Sequence, residues 1–296
     1  MIIIDAIRRN LYEKPETLTG SHLLYFKLFE LFVVAETIHL AWYWGFYTLK
    51  ITDVVLPLGI ANYIDISFMH GNNLPIYNAI IITVLAVITY FRIGSKFQYA
   101  ILLLLLHFQY VARFSIGEIP HSANLIGMSL LGFALGNIFF SKYAPKYRFI
   151  LGTILFFGGL GYTTAAISKL IGTGFNWIDG RHLWLWIGEK GTDILSRDGA
   201  WQPNFLQGMA ISSIPVATMI LIVGLLTEFF GFLMWFRKTR PFIATFLIGM
   251  HIGITLSMNI RFDAFVIELI LLGYPWAIWL NKIRPGYTSL ALKKFI

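Results

Sequence analysis

Apolar runs of membrane-crossing length recur along almost the whole chain, separated by short polar or basic turns, and no single aqueous core can absorb that pattern. They cover about residues 22–47, 76–91, 97–113, 121–140, 148–170, 214–235, 241–260 and 263–280. At ~1.5 Å per helical residue each can cross a ~30 Å hydrocarbon layer, once tilt and slightly extended ends are allowed. Composition agrees, because 13% of the residues are charged whereas soluble domains carry about 25%. Mean hydropathy is +0.70. The expectation is an all-α polytopic membrane bundle of about eight transmembrane helices, one domain over residues 1–296. Residues 1–21 read as a cytoplasmic interfacial segment, 171–213 as an outer-face capping segment and 281–296 as a basic cytoplasmic tail. No continuous apolar core precedes Arg8 and Arg9, so the start does not read as a cleaved signal peptide.

Charge sorting orients such a bundle. Arg8, Arg9, Lys14, Arg92, Lys96, Lys142, Lys146, Arg148, Arg237, Lys238, Arg240, Lys282, Arg284, Lys293 and Lys294 fall on one set of alternate turns. The other set mixes Lys50, Arg113, Arg181, Lys190, Arg197 and Arg261 with eight acids from Asp53 to Asp263. By the positive-inside rule both termini are expected in the cytoplasm and the protein in the cell (inner or plasma) membrane. The net charge of +8 is distributed over these turns and forms no run, so no nucleic-acid partner is implied. With zero cysteines the chain has no disulfide, thiolate metal site or thiol redox pair.

The polar residues inside the apolar runs are the unusual ones. Lys27, Glu30, Glu36 and His39 share a helical spacing in the first run and are expected to face inward. Lys169 closes the fifth run on the expected outer side, where His121 opens the fourth. Glu228 and His251 lie near the middle of the sixth and seventh runs, and Glu268 a little over one turn into the eighth. Charged side chains in lipid cost several kcal/mol unless paired or facing a cavity, so either a functional site or inter-helix hydrogen bonding accounts for them. Lys169 itself either snorkels to the interface or faces a cavity, and only in the second setting can it serve as a base. No metal is predicted. The seven histidines never come within five positions of one another, and the Glu36/His39 spacing of three is a poor signal alone. Phosphate loops, dinucleotide fingerprints and nucleophile elbows are missing as well.

Three stretches carry a resemblance. Ala165-Ala166-Ile167-Ser168-Lys169-Leu170 followed by Asn176-Trp177-Ile178-Asp179-Gly180 is similar to the region of vitamin K-dependent gamma-glutamyl carboxylases that holds their catalytic-base lysine, a region shared with the bacterial HTTM (horizontally transferred transmembrane) family. Pro120-His121-Ser122-Ala123-Asn124-Leu125 resembles that family's histidine segment at the head of a helix. Glu228, Gly231 to Arg237 and Met250-His251-Ile252-Gly253 resemble its later acidic and histidine-bearing helices. The likeness covers about residues 100–280. Ala123 and Asn124 depart from the family's aromatic–leucine pair, and Ser168 stands in place of a lysine. The carboxylase's large lumenal substrate domain has no counterpart in these residues, so peptide gamma-carboxylation as such is not expected.

The resemblance implies a lyase- or oxidoreductase-like site in which Lys169 deprotonates a reduced quinone or other lipid-soluble phenol, with His121 and His251 orienting it or stabilising its oxyanion. Lys169, His121 and His251 are then expected to line one cavity, backed by Glu228 or Glu268. Trp177, Asp179, Arg181, Asn124, Glu36 and His39 complete the substrate-binding surround. Trp177, Trp184, Trp186 and Trp201 read either as a lid over a flat ring or as an interfacial aromatic belt. Arg181 beside Asp179 reads more readily as a local ion pair than as a substrate clamp. Residues 178–204 are too charged for a span and are expected to form short interfacial helices. The alternatives are a non-enzymatic accessory protein for maturation, export or immunity of a secreted peptide, and a transporter. No inverted repeat or pair of matching broken helices supports transport.

Overall fold

A computed structural model describes residues 18–50, 56, 59–116 and 124–283, and every regular element among them is helical. The α-helices are α1 Gly20–Thr48, α2 Leu74–Tyr90, α3 Gln98–Phe114, α4 Asn124–Phe139, α5 Tyr143–Thr173, α6 Gly180–Asp198, α7 Phe205–Ser212, α8 Ile214–Phe229, α9 Arg240–Met258, α10 Asp263–Gly273 and α11 Trp276–Ile283. Local chemistry sets their ends. Pro75, Pro215 and Pro241 open α2, α8 and α9, where a missing N–H costs nothing. Asp179 caps α6 by accepting from the Arg181 N–H at 2.9 Å, and Gly199, at φ 74°, ends it.

Three helical segments are long and apolar enough to cross a membrane, Tyr143–Ile178, Ile214–Trp235 and Arg240–Met258. A fourth exists if α10 and α11, bent by 58° around Pro275, make one broken span. That is fewer than the eight expected, for identifiable reasons. α1 has 29 residues but carries Lys27, Glu30 and Glu36 within its apolar sequence. α2 and α4 are apolar but only 17 and 16 residues long. Residues 178–204 also differ from expectation. Instead of several short helices they hold one 19-residue helix, α6, whose charges keep it out of the membrane-crossing set. On its exposed surface Lys190 is held above its ordinary ammonium range by hydrogen bonds to Asp193 and Glu189.

The described residues divide into two compact units, one running up to Ile154 and resuming at Pro275, the other covering Leu155–Tyr274. In the first, α1 packs on α2, α3, α4 and α11. Phe29 and Tyr99 stack on Phe133 with centroids 6.0 and 5.0 Å away. Gln109 of α3 donates to the carbonyls of Pro75 (2.7 Å) and Ala41 (3.3 Å), an inter-helix fastening in a dry interior. The leucine tract 102–106 is split by helical periodicity. Leu102 and Leu106 share an inward face and are buried, while Leu104 is exposed.

In the second unit α6 packs on α7, α8 and α9, and α10 on α9. Leu183, Ile187, Ala210, Ala217 and Leu221 make the core, with Trp177, Trp184, Trp186 and Trp201 packed around it. The Trp184 indole donates to the Ala210 carbonyl at 2.5 Å. These tryptophans thus help cover the core of this unit. α8 tightens after Phe229 into the 3-10 turn Phe230–Trp235, which crosses α5 at two glycines. A Cβ on Gly159 would stand 2.8 Å from the Gly231 carbonyl oxygen, and one on Gly231 would stand 2.5 Å from the Tyr162 Cβ. The Phe232 N–H is accepted by the Thr163 hydroxyl at 2.9 Å.

Candidate functional site

Lys169 sits one turn before the end of α5, and its ammonium is paired with the carboxylate of Glu228, the penultimate residue of α8. The lysine side chain is 29% exposed and the glutamate 10%. Lys169 Nζ lies 4.7 Å from the Trp177 ring centroid, a cation–π contact. The side chain is therefore held by protein groups on two sides. The close crossing at Gly159 and Gly231 brings the end of α8 to α5 and so makes the pair possible.

Seven residues, or two turns, before Lys169 on the same face stands Tyr162. Its hydroxyl is 2.7 Å from Nε2 of His251, which is almost fully buried on α9. Phe262 and Phe265 pack on the imidazole at 4.7 and 5.4 Å. The other imidazole nitrogen, Nδ1, is buried and makes no hydrogen bond among the described residues. Glu268 on α10 is fully buried. Tyr162 lies within electrostatic reach of both Glu268 and Glu228, and His251 within reach of Lys169. The second unit thus gathers Lys169, Trp177, Glu228, His251 and Glu268, together with Tyr162. Sequence spacing assigned Tyr162 no role, although its position two turns before Lys169 is the signal that marks it.

The other expected residues are elsewhere or do other work. His121 lies outside the described residues. Asp179 caps α6 and pairs at 3.5 Å with an exposed Arg181, the local ion pair expected of them. Asn124 is exposed at the first position of α4. Glu36 and His39 pair with each other at 3.1 Å on α1, but the histidine side chain is 67% exposed, so His39 does not face inward as expected. A three-residue step turns it about 60° from Glu36 around the helix, and the buried stripe of Val33, Thr37, Leu40 and Ala41 runs past both.

Lys27 and Glu30 do turn inward, into a cluster that spacing alone did not assemble. The Glu30 carboxylate is fully buried and takes both Arg92 Nη atoms, at 2.5 and 2.9 Å. It also accepts from Lys27 Nζ at 3.0 Å and from the Tyr99 hydroxyl. Lys27 donates in addition to the Tyr90 carbonyl at 2.6 Å and lies 3.7 Å over the Tyr90 ring. Arg92 reaches Glu30 from a left-handed backbone position, φ 61°, uncommon for a residue with a Cβ.

No protein-family model, no curated protein and no solved structure matches this chain. What fold and site define together is a membrane-associated helical protein with an intra-protein ammonium–carboxylate pair beside a buried tyrosine–histidine contact.

Proposed function

We propose that the chain is a multi-pass protein of the cell membrane, with about eight spans and both termini cytoplasmic, whose Lys169 site removes a proton from a lipid-soluble phenol or hydroquinone. The observation that supports the chemistry is the contact between Lys169 and Glu228, two ionisable groups held together between apolar helices. Where solvation is weak, an ammonium–carboxylate contact is one proton transfer away from the amine–carboxylic acid pair. In that second form Lys169 carries a lone pair and Glu228 the proton. A ring hydroxyl beside Nζ then gives its proton to the amine, and the regenerated ammonium is the counter-charge to the ring oxyanion.

The neighbouring groups fit such a ligand. Trp177 offers a flat apolar face beside Nζ, and His251 Nδ1 is a buried polar atom with no bond to lose when a ligand hydroxyl or carbonyl arrives. The resemblance to HTTM proteins and to the carboxylase membrane domain supports the choice of a reduced quinone as substrate. In the test, the protein is reconstituted in nanodiscs, supplied with reduced naphthoquinones or benzoquinones under oxygen, and the products are separated chromatographically. Conversion is expected, and Lys169→Arg should abolish it while circular dichroism is unchanged, since guanidinium keeps the charge but does not deprotonate. Conversion that survives Lys169→Arg, or none with any ring, would leave a non-enzymatic accessory role as the better reading.

Orientation is separately testable, because the native chain has no cysteine. Ser196→Cys on α6 should react with an impermeant maleimide in intact cells, and Ser141→Cys, between α4 and α5, only after lysis. The reverse pattern would invert the map.

A further inference from the structure

We propose that the cation cluster where α1, α2, α3, α4 and the start of α5 meet is a binding site for a phosphate group. Charge balance carries the inference. Lys27 and Arg92 share the one carboxylate of Glu30. Lys146, in the first turn of α5, donates to the Asn137 side chain at 3.0 Å and has no carboxylate partner among the described residues. Lys146 lies within electrostatic reach of both Arg92 and Glu30, as does Tyr143 one turn earlier. Among the described residues, three cations against one carboxylate leave a formal excess of two positive charges.

Two donors in the same cluster are also unused. Arg92 Nε and the Tyr143 hydroxyl are buried and make no hydrogen bond among the described residues. Leaving such donors unmade while positive charge is in excess is costly, and an anion with several acceptor oxygens answers both deficits at once. A phosphate does so with up to two negative charges. Approach is open, since residues 93–97 and 141–142, which include Lys96 and Lys142, are exposed. On the eight-span reading these turns lie at the cytoplasmic surface, where anionic lipid headgroups are found. The charge deficit itself does not rest on that reading.

The full chain, delipidated in detergent, is titrated with phosphatidylglycerol or with phosphatidylcholine of the same acyl chains and followed by native mass spectrometry. In a parallel series inorganic phosphate is added and the thermal midpoint recorded. The expected result is preferential retention of phosphatidylglycerol, a phosphate-dependent rise in midpoint, or both. Lys146→Gln should reduce the effect about fivefold, the factor for losing one lysine at an anionic surface. Tyr143→Phe, which removes only the hydroxyl, should weaken it as well, whereas Lys190→Gln on α6 should leave it unchanged. Retained lipid that added phosphate does not displace identifies the headgroup as the source, and displacement identifies free phosphate as sufficient. Equal retention of both lipids with no midpoint shift would overturn the proposal, as would an effect of full size in Lys146→Gln.

Discussion

Glu30→Ala is expected to cost about 3–5 kcal/mol. The carboxylate has no exposed surface and holds Arg92 through two bonds, Lys27 through a third and the Tyr99 hydroxyl through a fourth. Removing it leaves two cations side by side in the packing of α1, α2 and α3, with no carboxylate among the described residues to balance them. The loss should be read in nanodiscs by steric trapping or thermal denaturation. Glu30→Leu combined with Arg92→Met is expected to recover part of it, because a pair removed whole leaves less buried charge than a pair halved. A cost below about 1 kcal/mol for Glu30→Ala, the range of a solvated surface pair, would show that water reaches this cluster.

Glu228→Gln separates stability from chemistry in the second unit. It keeps the side-chain volume but can no longer take up a proton, so turnover on a reduced quinone is expected to fall about 10²–10⁴-fold, the usual weight of a positioned proton-transfer group. Folding should suffer less than with Glu30→Ala, because Lys169 retains 29% exposure and its contact with Trp177. Lys169→Met with Glu228→Leu should restore stability while remaining inactive. If Glu228→Gln turns over at the parental rate, Lys169 does not hand its proton to this carboxylate.

Helix positions were largely legible, because apolar length and proline or glycine punctuation are local properties. The first run, expected at about residues 22–47, became α1 Gly20–Thr48, and the seventh, 241–260, became α9 Arg240–Met258. Which helices qualify as membrane spans was less legible. Local breaks such as the bend at Pro275 divide a run without changing its composition. At the site, Lys169, Glu228 and His251 could be singled out because an ionisable group in an apolar run is conspicuous by itself. Tyr162 was not, since tyrosine is ordinary there and only its contact with His251 gives it a role. Arg92 read as one more basic residue in a turn. Its destination, 62 positions away at Glu30, is a tertiary property that no spacing rule reaches.

That separation has a consequence for how the chain is made. In synthesis α1 precedes Arg92, so on the eight-span reading Glu30 leaves the ribosome ahead of the arginine. Lys27, one turn earlier on the same helix and 3.0 Å from the carboxylate, is available from the outset. On that reading the nascent helix carries its acid already paired in cis with Lys27, a bond later supplemented by the bidentate arginine. The three-residue step from Lys27 to Glu30 acts in this order of events as a temporary escort, and Arg92 arrives as the permanent partner.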